Sequence, residues 1–205
     1  MKTFSEFLLE ANDGHGLHVF DVDDTLFHTT AKVKVMHGGK QVAALSNSEY
    51  NTHVLPKDHH YDYSEFRDSE KFDKESKPMD RMLNKMKAIH NNAKKKGSKV
   101  IIATARADFD NKDKFLGAFR KHGVDIDNIH VHRAGNDKGE GTVGEKKARI
   151  ISNQLKAGNY KRATLYDDSK ENLKHFLALK KEHPDVHFKA YHVQPSGSIV
   201  RHTED

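Results

Sequence analysis

Asp21 and Asp23 end the apolar run Leu17 to Phe20 in the segment HVFDVDDT. Side chains alternate along an extended chain, so the two carboxylates fall on one side and Val22 on the other. Two acids placed this way can share a divalent cation. With a metal bound, one can attack phosphorus, while the other, kept partly protonated by its surroundings, gives a proton to the leaving oxygen and later activates water. A second acidic pair, Asp167 and Asp168, ends the apolar run Ala163 to Tyr166 in LYDDSKEN. A cation held between the two strand ends would complete a site. Each pair alone also has a plainer reading, because acids are common in turns and a pair at a helix start complements the helix dipole.

Three further residue types fit the same chemistry. Thr104 closes the apolar strand VIIAT, where its hydroxyl could donate to a phosphoryl oxygen or cap a helix. Arg106, two residues on, could contact a substrate phosphate or brace the loop. In GEKKARII, helical spacing sets Lys147 in line with Val143 and Ile151, on the face turned toward a sheet, so it is preferred to Lys146 as the cation that neutralises clustered acids.

The elements that must position these groups are legible in the apolar periodicity. Strands are expected at 16–20, 99–104, 128–132, 163–166 and 186–193, with helices around Phe115 to Phe119 and at 143–156 and 170–182. Strands separated by helices imply right-handed crossovers and a doubly wound parallel α/β sheet. After the first acids, KVKVMHGGKQVAAL reads as a β-hairpin flap turning at Gly38-Gly39. Residues 46–77 are polar with short helical patterns, which makes about 28–77 a flap and small cap insertion. Pro78 opens a helix whose Met79, Met82, Leu83, Met86 and Ile89 follow core spacing up to Gly97. The tail from Pro195 is expected to be loosely held.

The order of these motifs resembles the haloacid dehalogenase (HAD) superfamily. HVFDVDDTLF is similar to its first motif, with Asp21, Asp23 and Thr25 at the matching positions. Thr104 stands where the second motif has its hydroxyl, Lys147 (or Lys146) where the third has its lysine, and Asp167-Asp168 where the fourth has its acids. The resemblance spans residues 17–175. It implies a HAD-like Rossmannoid fold and a Mg²⁺-dependent phosphomonoester hydrolase, with Mn²⁺ as a substitute. Asp21 would be the nucleophile that forms an aspartyl-phosphate, and Asp23 the general acid and base. Asp168 would be a direct metal ligand beside Asp21 and Asp23, Asp167 a water-linked or orienting partner, and Asn172 a support. Thr25, Arg106 and Lys146 would face the substrate. Members without the second aspartate include dehalogenases, so Asp23 points to phosphoryl transfer. The expected substrates are a phosphorylated small molecule, a nucleotide or a nucleic-acid end, the last as a 3′-phosphatase or deoxynucleotidase. A non-enzymatic scaffold is the remaining alternative.

Residues 1–12, MKTFSEFLLEAN, form a short amphipathic leader set off from one domain at 13–205. Leu8-Leu9-Glu10 followed by Ala11 resembles the capsid-targeting sequence of head proteins from large tailed phages. It implies a phage protein of the infected cytoplasm, associated with the capsid and packaged in the virion. The alternative is a helix packing on the domain.

Composition narrows the classes. With 35% hydrophobic and 32% charged residues, the 205-residue chain allows a modest core under a charged surface. The absence of cysteine excludes disulfides, thiolate zinc sites and cysteine nucleophiles, and fits a reducing compartment. No apolar run is long enough to span a bilayer, so no membrane association is expected. The net charge of +5 comes from lysines interleaved with acids, as on solvated helix faces. Sixteen histidines invite a zinc reading, but neither His59-His60 nor His130 and His132 forms a compact ligand set with an acid nearby.

Overall fold

The computed structural model describes residues 15–95 and 97–203, so the expected leader lies outside the described residues. Its strands are β1 (His15–Phe20), β2 (Phe27–His28), β3 (Val33–His37), β4 (Lys40–Leu45), β5 (His59–Asp62), β6 (Lys77–Pro78), β7 (Lys99–Thr104), β8 (His130–Arg133), β9 (Tyr160–Asp167), β10 (His187–Val193) and β11 (Ile199–His202). Its α-helices are α1 (Asn47–Tyr50), α2 (Ser69–Glu75), α3 (Asp80–Lys95), α4 (Lys112–Lys121), α5 (Val143–Ala157) and α6 (Lys170–Ala178).

Six strands form the central sheet in the order β11-β10-β9-β1-β7-β8. All neighbours in it are parallel except β10 and β11. Helical crossovers seat β1 between β7 and β9, so the C-terminal tips of these three strands lie side by side. That edge is where an open α/β sheet binds ligands. Alternation along the strands sends Leu17, Val19, Ile101 and Ala103 to one face, against Ile151, Leu155, Leu173 and Phe176 of α5 and α6. Phe20, Val100 and Ile102 go to the other, against Met82, Leu83, Met86, Phe115 and Phe119 of α3 and α4. The methionine stripe of α3 is thus core packing. Each such buried side chain stabilises by about 1.5–3 kcal/mol.

The insertion sits between the tip of β1 and α3. β3 and β4 form the expected hairpin, with Gly38 and Gly39 at φ of 55° and 77°, a left-handed pair that a two-residue turn requires. β5 was not expected within the polar stretch 46–77. It adds to β3 antiparallel, pairing Val35 with Tyr61, and the flap becomes a three-stranded sheet in the order β4-β3-β5. Polar strand residues carry little periodic signal when both faces are partly solvated.

Two boundaries differ from the sequence reading. The helix after the insertion begins at Asp80, because Pro78 pairs with Phe27 in a short β2–β6 ribbon. The tail is not loose: Gly197 turns at φ 73° and β11 pairs along β10 from Ile199 to His202. Arg201 fastens it by donating to the Phe188 carbonyl at 3.1 Å. No helix among the described residues is long and apolar enough to cross a membrane.

His18 of β1 supplies a test of this packing. Its Nδ1 is buried and has no partner among the described residues. Burial, then the Arg162 charge, holds the imidazole down at about 4, against 6.5 when free. The folded pKa is depressed, so stability is lost as pH falls below 6.5 and the loss is complete near 4. Between neutral pH and pH ~4.5, wild-type protein should lose about 2–3 kcal/mol more than His18→Gln in urea unfolding. Equal losses in the two proteins would contradict the burial of a neutral imidazole.

Candidate active site

Asp21 follows directly on β1, and its N–H donates to the Tyr166 carbonyl at 3.0 Å, carrying the β1–β9 ladder one residue past the strand. The chain then folds back on itself. Val22 is fully buried, and its carbonyl accepts from Thr25, Leu26 and Phe27. Asp24 takes a left-handed φ of 53°, a conformation that costs a non-glycine residue about 1–2 kcal/mol. Asn47 of α1 fastens it, donating from Nδ2 to Asp24 Oδ2 at 2.9 Å. This turn presents Asp21 and Asp23 to a cavity of about 450 Å³ above the strand tips.

Asp21, Asp167 and Asp168 converge there. One carboxylate oxygen from each lies within 4.8 Å of the others, a set that suits a hard divalent cation. Lys147 of α5, 2% exposed, donates from Nζ to Asp21 Oδ1 at 2.7 Å and to Asp167 Oδ2 at 2.9 Å. α5 aims it inward because Thr142 and Glu145 form a capping box that fixes the start of the helix. Asp167, fully buried, also accepts from Asn172 Nδ2 at 2.9 Å and the Ser169 N–H at 2.9 Å. Its oxygens are thus committed. The Asp168 carboxyl lines the cavity with no hydrogen-bond partner among the described residues.

One ammonium does not balance three buried acids. Burial, opposed by Lys147 and reinforced by Asp167 and Asp23, pushes Asp21 up to about 7. Burial, then Asp167 and Asp21, raises Asp168 well above the carboxylate range. Lys147 moves upward too: the two acids outweigh its own burial and keep it charged. A bound cation would offset this burial and favour the ionised carboxylates.

Asp23 stands apart from this group. The guanidinium of Arg106 grips it from Nε at 2.9 Å and Nη2 at 2.6 Å, a buried bidentate pair. Arg106 also donates to the Phe66 carbonyl at 2.8 Å and lies over the Phe72 ring at 4.6 Å, joining the cap to the strand tips. The structure places three of the expected site residues differently from the sequence expectation. The Asp23 carboxylate pairs with Arg106 rather than joining the other acids around a cation position. Thr25 is fully buried inside the turn and does not line the cavity. Thr104 is fully buried at the tip of β7, where its Oγ1 accepts the Arg106 N–H at 3.2 Å and so shapes the loop. Lys146 lines the cavity, with Nζ on the Asp137 carbonyl at 2.8 Å. Histidine forms no metal-binding group among the described residues.

The sequence reading missed Asn47, Tyr50, Asn51, Tyr63 and Arg67, which line the cavity from the insertion. A signal existed: half of the chain's six tyrosines fall between positions 50 and 63.

No family model and no curated protein matches the sequence. Among solved structures the chain is similar to the HAD domain of the effector protein Lem4 from Legionella pneumophila, at 14% identity and a TM-score of 0.51, over 90% of this chain and 88% of that one. An inactive mutant of that domain is similar at 13% identity and a TM-score of 0.53, with the same coverage. The likeness is one of fold: a mixed α/β architecture, HAD-like, around a mostly parallel sheet.

The charge imbalance has a measurable consequence. Asp21 is raised from 3.8 to about 7, so ionising it destabilises the metal-free fold increasingly between those values, with the full effect present above the upper one. With EDTA at pH ~8, Asp21→Asn should be more stable than wild type by on the order of 3 kcal/mol. The difference should shrink as pH falls and vanish near pH ~3, where Asp21 is neutral in both the folded and the unfolded chain. A variant less stable than wild type at high pH would contradict the account.

Proposed function

We propose that this chain is a Mg²⁺-dependent phosphomonoester hydrolase with Asp21 as its nucleophile. The observation that carries the reading is the meeting of Asp21, Asp168 and Lys147 at the floor of one cavity, with the fully buried Asp167 bonded to Lys147. When bound, Mg²⁺, or Mn²⁺ in its place, would be held by Asp21 and Asp168, with Asp167 beside them as an orienting partner, and would supply positive charge to draw phosphoryl oxygens toward them.

Lys147 occupies Oδ1 of Asp21 and leaves Oδ2 for attack on phosphorus. That attack forms the Asp21 acyl phosphate and breaks the ester P–O bond. Asp23, at the cavity wall, gives the leaving oxygen its proton. Water then attacks the acyl phosphate and returns a proton to Asp23, which releases inorganic phosphate and restores the Asp21 carboxylate. Both Asp23 oxygens are bonded to Arg106, so Asp23 must yield one of those bonds each time it handles a proton. Arg106 acts here as a positioning residue. Lys147 keeps its charge throughout and offsets that of the transferring phosphoryl group.

Phosphate release from p-nitrophenyl phosphate should require Mg²⁺ or Mn²⁺ and stop on addition of EDTA. Asp21→Asn should reduce it by roughly three orders of magnitude or more. Turnover that survives Asp21→Asn would overturn Asp21 as nucleophile.

A further inference from the structure

The wall of the cavity built by the insertion is aromatic and braced. Tyr63 is 45% exposed, yet its hydroxyl is tied to that of Tyr50 at 2.9 Å. Tyr50 meets Tyr63 edge-on at 5.9 Å between ring centres and meets Tyr61 in the same way at 4.9 Å. His53 completes the brace, its Nδ1 sharing a hydrogen bond with the Tyr61 hydroxyl at 2.8 Å. The cluster is also fixed to the acids. Tyr50 ends α1, the helix whose Asn47 holds Asp24, the neighbour of Asp23. An exposed ring held at a set place above the acids has lost its entropy before any ligand arrives, which favours stacking.

The rest of the wall fits a particular partner. Ala105, Ala107, Ala134 and Gly135 are small and leave width for a flat group. Gly135 packs so closely that an added Cβ would meet the Ala105 carbonyl oxygen at 2.7 Å. The Asn51 amide and the Arg67 guanidinium line the cavity without side-chain partners among the described residues, and can meet polar ring edges or anionic oxygens. About 450 Å³ is far more than a phosphoryl group fills.

We propose that the insertion forms a base subsite: the substrate is a nucleotide whose phosphoryl group lies at Asp21 while its base stacks on Tyr63, with Tyr50 bracing that ring. This rests on the phosphohydrolase reading and names its substrate class. Base–aromatic stacking contributes roughly ten- to a hundredfold in affinity.

The test compares kcat/KM with Mg²⁺ for adenosine monophosphate, the ribose phosphate it contains, and phosphotyrosine, on wild-type protein, Tyr63→Ala and Tyr63→Phe. Wild type should favour adenosine monophosphate over ribose phosphate by about tenfold or more, and over phosphotyrosine. Tyr63→Ala should bring the ratio to ribose phosphate near unity, and Tyr63→Phe, which keeps the ring, should retain most of it. A ratio near unity in wild type, a ratio unchanged in Tyr63→Ala, or phosphotyrosine as the better substrate would overturn the subsite. A second measurement separates this from failure of the chemistry. Adenosine monophosphate should bind Asp21→Asn in calorimetry with Mg²⁺, and about tenfold more weakly once Tyr63→Ala is added. Absence of binding, or binding indifferent to Tyr63→Ala, overturns the subsite. Binding without turnover by wild type overturns the hydrolase reading alone.

Discussion

The ammonium of Lys147 between Asp21 and Asp167 is the interaction on which the rest of the site depends. A lysine this deeply buried would ordinarily shed its proton, and acids this deeply buried would ordinarily take one up. Together they resolve only part of the conflict, because Asp168 adds a third carboxyl, which burial and the neighbouring Asp167 and Asp21 push toward its neutral form. The fold thus gathers three acids and one ammonium at the tips of β1 and β9, where burial opposes the ionisation of Asp21 and Asp168. Such a cluster is costly as structure, and its donor set suits a hard divalent cation.

Topology brings that charge together. β1 and β9 are neighbours in the sheet yet far apart in sequence, and α5, which carries Lys147, packs against the face that Leu17 and Val19 present. The second buried pair, Asp23 with Arg106, does different work. It spans 83 residues, ties the tip of β7 to the turn after β1, and reaches the cap through the Phe66 carbonyl. The turn that carries Asp23, the tip of β7 and the cap are therefore coupled through one guanidinium. The aromatic brace at Tyr50 and Tyr63 is coupled in turn through Asn47 and Asp24.

Much of this could be read from residue order. An apolar run that ends in acids marks both a strand and the place where it stops, so β1 and β9 and the carboxyls beyond them were legible, as was the alternation that leads to a parallel sheet. What could not be read were partnerships fixed only by the fold. Thr25 and Thr104 looked available because hydroxyls near strand ends often are, but the turn at Val22 and the Arg106 N–H enclose them. Nothing in the sequence pairs Arg106 with Asp23. β5 and the tyrosine cluster stayed hidden because the insertion is polar, and its order comes from ring packing rather than from a periodic apolar face. β11 was missed because Pro195 and Gly197 read as the end of structure when they are a turn.

Anomalous scattering from crystals soaked in Mn²⁺ tests the central claim most directly. The account predicts one peak at about 2.1–2.2 Å from carboxylate oxygens of Asp21 and Asp168, near Asp167, and away from the Asp23 carboxylate that Arg106 holds. No peak among these acids, or a peak only elsewhere on the protein, would contradict it.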